Sequence, residues 1–114
     1  MLISFILPIR NESIFIEKTL NSVLNQSGDF KSEIIISDGM STDGTRDIVK
    51  NFQLENSFIQ LIDNPEKIVS TGFNRALSVA KGNIIIRVDG HTTIDKDYLI
   101  KSVSNLINKK CDCT

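Results

Sequence analysis

Asp89 and His91 stand two residues apart with Gly90 between them, directly after an apolar run from Asn83 to Val88. Residues i and i+2 at a strand end can point the same way, and a glycine lets backbone approach a ligand closely. A carboxylate beside a neutral imidazole suits a divalent ion, manganese or magnesium, with one side left open for diphosphate oxygens. Taken alone, the tripeptide also reads as a loop acid beside a solvated histidine, because short motifs are weak signals.

Three further clusters carry polar groups of a useful kind. In Glu33 to Thr45, Asp38 follows an apolar run, where a carboxylate either accepts hydrogen bonds from a base or ribose or caps a turn. Ser41, Thr42 and Asp43 favour the capping role, since hydroxyls and carboxylates take up the free amides at a helix start. In Pro8-Ile9-Arg10-Asn11-Glu12, backbone amides and Asn11 can face a nucleotide. Glu12 equally suits a helix-dipole partner, and Arg10 a surface cation. In the stretch from Val69 to Ala76, the amides and the Ser70 hydroxyl can meet an anion, with Lys67 as a nearby cation. Asn74, one turn further, either reaches the same rim or lies on a polar helix face, while Phe73, Ala76 and Leu77 read as core.

These clusters must be positioned by something, and the apolar runs supply it. Leu2 to Leu7, Glu33 to Ser37, Phe58 to Ile62 and Asn83 to Val88 are short and rich in β-branched residues, as strands buried on both faces are. Between them apolar residues recur at helical spacing. Ile16, Leu20, Val23 and Leu24 follow Asn11, a candidate N-cap, and stop at Gln26-Ser27-Gly28; Ile48, Val49 and Phe52 follow Ser41 to Thr45. Phe73, Ala76, Leu77 and Ala80 run up to Gly82, which suits a left-handed C-cap. A fourth pattern starts near Asp95, shows Leu99, Val103, Leu106 and Ile107, and ends at Lys109-Lys110. The order is βαβαβαβα, which predicts a Rossmann-like, mostly parallel sheet with helices on both faces. In such a sheet ligands bind beyond the carboxyl ends of the strands, which is where all four clusters fall.

The chain of 114 residues is long enough for one domain, residues 1–114, of ordinary globular composition. Thirteen basic and fourteen acidic residues give a formal charge of -1, so there is no basic field for nucleic acid. Cys111 and Cys113 are too close for an ordinary disulfide and read as reduced thiols, which points to a soluble cytoplasmic protein. No run approaches the roughly 18 to 20 apolar residues of a membrane span.

In this order the four clusters resemble the N-terminal half of family 2 glycosyltransferases of the GT-A fold. Ser4 to Glu12 matches the family's opening strand with Pro-x-x-Asn-Glu, Glu33 to Thr45 its Glu, apolar strand, Asp and Ser-Thr-Asp-Gly-Thr, and Asn74, Ala76, Ala80 and Gly82 its Asn, Ala and Ala-x-Gly pattern. The resemblance implies a UDP- or GDP-linked sugar donor, transfer to an acceptor hydroxyl with inversion, and a role in polysaccharide or glycan biosynthesis. It implies that Pro8, Arg10 and Asp38 line the nucleoside pocket and that Asp89 and His91 hold the outer positions of the family's Asp-x-Asp; with the strand-end and helix-start groups read above, the expected donor contacts are Pro8, Ile9, Arg10, Glu12, Asp38, Lys67, Ser70, Asn74 and Asp89. It also implies a glycan or lipid-linked acceptor and a full-length protein at the cytoplasmic face of a membrane.

Two departures from the family pattern stand out. Asp38-Gly39 replaces paired aspartates, so a base contact of the second aspartate has no side chain here; His91 replaces an aspartate. Together with Arg87-Val88-Asp89, these features resemble the subgroup of succinoglycan-biosynthesis glycosyltransferases. The family's general base lies well downstream of the metal motif, so the expectation is a chain truncated after Thr114 that binds donor and metal without turnover. A nucleotidyltransferase would need a glycine-rich basic loop after the first strand, and a dinucleotide oxidoreductase a Gly-x-Gly-x-x-Gly; Pro8 to Glu12 offers neither. A noncatalytic binding or assembly module remains the alternative from another class.

Overall fold

The computed structural model describes residues 2–26 and 31–89. Seven elements alternate: β1 (Leu2–Ile9), α1 (Ile16–Leu24), β2 (Lys31–Asp38), α2 (Thr45–Glu55), β3 (Ile59–Asp63), α3 (Val69–Val79) and β4 (Ile84–Arg87). The strands form one sheet in the order β3-β2-β1-β4, with every pairing parallel. The predicted βα alternation therefore holds through β4. The fourth helical pattern from Asp95, together with Gly90 and His91, lies outside the described residues.

Alternation along β1 divides the core in two. Ile3, Phe5, Leu7 and Ile9 face α1 and α2, whose Ile16, Leu20, Val23 and Val49 complete that cluster, while Ile6 joins Ile35 and Ala76 beneath α3. Helices thus cover both faces, as the continuous apolar runs require. Five apolar side chains of β1 are at most 4% exposed, and each contributes about 1.5–3 kcal/mol on burial. That outweighs the roughly 1 kcal/mol forfeited because Pro8 has no amide to donate. The forfeited bond is visible in the ladder. Val88 donates to the Ile6 carbonyl at 2.9 Å, Pro8 is the next β1 residue on that side, and β4 pairing ends at Arg87.

Leu77 departs from the core expectation: it is 42% exposed, because α3 turns Gly72, Phe73, Ala76 and Ala80 to the sheet and Leu77 to the flank. Gly82 is not a left-handed cap either, since α3 ends at Val79 with an extended Ala80. Its requirement is close approach. A Cβ there would stand 2.3 Å from the Ser4 hydroxyl and 2.7 Å from the Ser4 nitrogen. The Ser4 hydroxyl accepts from the Gly82 amide and donates to Glu33, whose carboxylate also accepts from the Lys81 amide, so a polar knot around the buried Ser4 seats β4 against β1.

The loops after β1 and β2 are tied side by side. Asn11 is not the N-cap of α1, which begins five residues later after Phe15; it sits at φ 53, a conformation asparagine tolerates, and bridges to the neighbouring loop. Its amide donates to the Ser41 hydroxyl and its side chain accepts from the Thr42 amide. Asp43 lies one residue before the N-cap Gly44, accepting from the Thr45 amide and hydroxyl on one oxygen and from the Ser13 amide on the other. The Thr45 hydroxyl in turn accepts from the Glu12 amide.

Two outcomes follow from these contacts. Gly82→Ala is expected to lower stability by about 1–3 kcal/mol in urea unfolding, because the added methyl meets backbone that cannot give. The Thr45 hydroxyl foremost, working against burial and joined by the Ser13 amide, holds the Asp43 carboxyl well below its usual value of 3.8. A depressed folded value means that this loop tie is present above the unfolded pKa and lost only as pH falls through the folded one. In an NMR titration the Asp43 carboxyl carbon should therefore stay at its ionised shift down to about pH 3, where ordinary aspartates are already mostly protonated.

Candidate functional site

The carboxyl ends of the four strands form one rim, and the order β3-β2-β1-β4 fixes the order of the residues along it. Asp38 closes β2. Its side chain is fully buried, and its oxygens accept from the Ser41 amide at 3.0 Å, the Ser41 hydroxyl at 2.5 Å and Arg46 at 2.8 Å. The carboxylate that the sequence offers to a base or ribose is thus largely committed to protein donors, and it braces its own loop. Arg46 also reaches Asp63 at 2.6 Å, and Asp63 is the register partner of Asp38 on β3. One guanidinium therefore clamps two adjacent strand ends. The Asp63 bond foremost, against partial burial and with the Asp38 bond behind it, raises the pKa of Arg46. Arg46 was not anticipated from the sequence, although a cation in the first turn of a helix opposes the macrodipole and signals an acidic partner.

Gly39 follows Asp38 at a crossing of three loops. Its amide donates to the Ile9 carbonyl at 2.8 Å, and a Cβ on it would meet the Arg10 Cβ, the Ile9 oxygen and the Lys67 Cα, each at 3.3 Å. Pro8 is buried under α3, its Cβ lying 3.4 Å from where a Gly72 Cβ would stand. The Ile9 side chain belongs to the core and its carbonyl is taken by the Gly39 amide, so this residue is not open to a ligand. Arg10 and Lys67 are exposed, and Lys67 holds a φ of 64. Glu12 is half-buried, with its carbonyl accepting from the Phe15 and Ile16 amides.

The β3–α3 loop is built on Asn64. This residue is 2% exposed, its side chain donates to the Ile68 carbonyl and accepts from the Thr71 hydroxyl, and its main-chain amide donates to the Asp38 carbonyl. It delivers Lys67 to Gly39 and sets Ser70, exposed, in the first turn of α3. Asn74 is not brought to the strand ends; it lines an open cleft of about 330 Å³ with Glu66, Thr71, Arg75 and Ser78, on the side of α3 turned from the sheet. A second cleft of about 230 Å³, lined by Ser41, Thr42, Gly44, Arg46, Asp47 and Lys50, opens beside α2.

Asp89 follows β4, half-exposed, with Arg87 at 3.4 Å and the Arg87 guanidinium 5.7 Å from the Phe73 ring centre. Among the described residues no group of three or more His, Cys, Asp or Glu is gathered to cage a metal, and His91 lies outside them. The donor chemistry of Asp89 nevertheless fits a hard divalent ion. An open strand-end carboxylate suits a cation that takes its remaining ligands from phosphate oxygens and water.

A family model described as glycosyl transferase family 2 matches residues 4–114. Succinoglycan biosynthesis protein ExoA of Rhizobium meliloti (strain 1021) is 31% identical over 109 residues, covering 94% of this chain and 33% of its own length. Among solved structures, S. aureus TarS 1-349 in complex with UDP-GlcNAc superposes with a TM-score of 0.77 at 25% identity, covering 96% of this chain and 32% of that one. Mannosyltransferase PcManGT from Pyrobaculum calidifontis, in complex with GDP-Man and Mn2+, gives 0.82 at 27% identity, covering 89% and 31%. The chain spans about one third of the length of these relatives. With the family match running over nearly all of the sequence and the same parallel architecture in the solved relatives, the chain belongs to glycosyl transferase family 2.

Proposed function

We propose that this chain is the donor-binding part of an inverting glycosyltransferase, which moves a sugar from a UDP- or GDP-linked donor to an acceptor hydroxyl in polysaccharide or glycan biosynthesis. The observation that carries the reading is the continuous rim, with three loops meeting at Gly39 on one side of β1 and Asp89 at the strand end on the other. The nucleoside lies over the β1 and β2 ends beside the exposed Arg10, with Asp38 as the buried floor. The diphosphate points towards Asp89, and Ser70 with the free amides of α3 offers it donors.

Asp89 and His91 are the residues that would hold a divalent ion, which when bound supplies charge neutralisation at the departing diphosphate. This chain's own part in the reaction is to fix the donor's orientation, so that the face of the anomeric carbon opposite the diphosphate is left to the acceptor. The general base and the acceptor contacts are assigned to the two thirds of the relatives' length that this chain does not span. A cytoplasmic site at a membrane face, with a glycan or lipid-linked acceptor, completes the proposal. No described helix is long and apolar enough to cross a membrane.

Calorimetry with UDP, GDP and their sugars tests the reading. Binding that strengthens on adding manganese and loses that increment in Asp89→Ala is expected. Absence of any nucleotide binding at about 1 mM would sink the proposal and leave a noncatalytic assembly module.

A further inference from the structure

Arg87 ends the apolar run Ile84-Ile85-Ile86, two residues before the carboxylate assigned above to a divalent ion. Val88 between them is buried and donates its amide to the Ile6 carbonyl, so the strand alternation turns Arg87 and Asp89 to the same side. The charged groups do meet: Arg87 Nη2 lies 3.4 Å from Asp89 Oδ1, and each side chain is 49% exposed. The guanidinium also stands 5.7 Å from the centre of the Phe73 ring, and Phe73 on α3 packs against the buried cluster of Ile6, Ile35 and Ala76. A cation is thus seated on an aromatic face and held beside the strand-end carboxylate.

Stability does not account for a guanidinium at this position. A half-exposed ion pair contributes little, and a methionine would cover the ring as well. The pair is also loose, longer than the roughly 2.7–2.9 Å of a well-formed charge-assisted bond. Among the described residues neither group has another hydrogen bond or ion pair, so most of the planar donor fork of Arg87 is unused. A divalent ion arriving alone at Asp89 is opposed by the cation beside it. A diphosphate reverses that balance. Its oxygens match the guanidinium fork, so Arg87 can pass from Asp89 to phosphate and leave the carboxylate to the ion.

Given the donor placement proposed above, on which this rests, we infer that Arg87 couples metal to diphosphate binding: it holds Asp89 against a bare divalent ion and releases it when a diphosphate arrives. Arg87 is a positioning residue, acting on the ion through Asp89. The test uses the 114-residue chain as wild type, Arg87→Met and Arg87→Lys, with circular dichroism to verify folding. Each protein is titrated with manganese alone, followed by the electron paramagnetic resonance of the free ion, and with UDP and GDP in EDTA by calorimetry. Arg87→Met should bind manganese alone about tenfold more tightly and nucleotide without metal about tenfold more weakly. Arg87→Lys keeps the charge without the fork, so it should restore the exclusion of metal and only part of the nucleotide affinity. A damaged fold does not move two ligands in opposite directions. Weakening of both, no change in either, or a shift in one alone would overturn the coupling while leaving the donor site standing. Failure of the wild type to bind nucleotide, with or without manganese, would remove the donor-site reading and the coupling together.

Discussion

A carboxylate withdrawn completely from water has to be repaid by its neighbours, and Asp38 is such a group. Its oxygens take the Ser41 amide, the Ser41 hydroxyl and the Arg46 guanidinium. Each partner passes the constraint on. Ser41 receives the Asn11 amide and so fastens the β1 loop, while Arg46 reaches Asp63 and fastens the end of β3. Removing one member of a buried ion pair costs about 3–5 kcal/mol, far more than an exposed pair returns. The energetic weight of the rim therefore rests on Asp38 and its side of Arg46, and the Asp63 contact, exposed at 58%, contributes geometry more than stability.

This bears on the part that Asp38 would play in the proposed donor site. A strand-end acid that hydrogen-bonds a nucleoside directly and one that builds the floor beneath it look alike in sequence. Here the hydrogen bonds are spent on the loop, and what the loop gains is the close approach of Ile9, Arg10 and Lys67 around Gly39. Preorganising three loops lowers the entropy cost of ordering them around any ligand that binds there. The open, half-exposed Asp89 has the opposite character and retains room for further ligands.

Much of this architecture was legible in the residues. Apolar β-branched runs marked the four strands to within two residues at every boundary, because both faces of a parallel sheet are covered and the runs are unbroken. The helix-spaced residues Ile16, Leu20, Val23 and Val49 were indeed core. What was not legible depended on contacts between segments far apart in sequence. Asn11 looked like a cap because caps are local, yet its partners are about thirty residues away in Ser41 and Thr42. Gly82 looked like a helix stop, yet its constraint is Ser4 on another strand. Asn74 sits where the family motif expects it, but helix phase turns it from the rim. Arg46 carried only the weak hint of a cation at the wrong end of a helix.

Amide hydrogen exchange in Asp38→Asn measures directly whether Asp38 organises loops beyond its own. If it does, the Asn11, Ser41 and Thr42 amides should exchange together about tenfold faster than in the wild type, with α1 unchanged and nucleoside diphosphate affinity reduced in step. Faster exchange confined to Ser41, with Asn11 and Thr42 at wild-type rates and nucleotide binding intact, would contradict it.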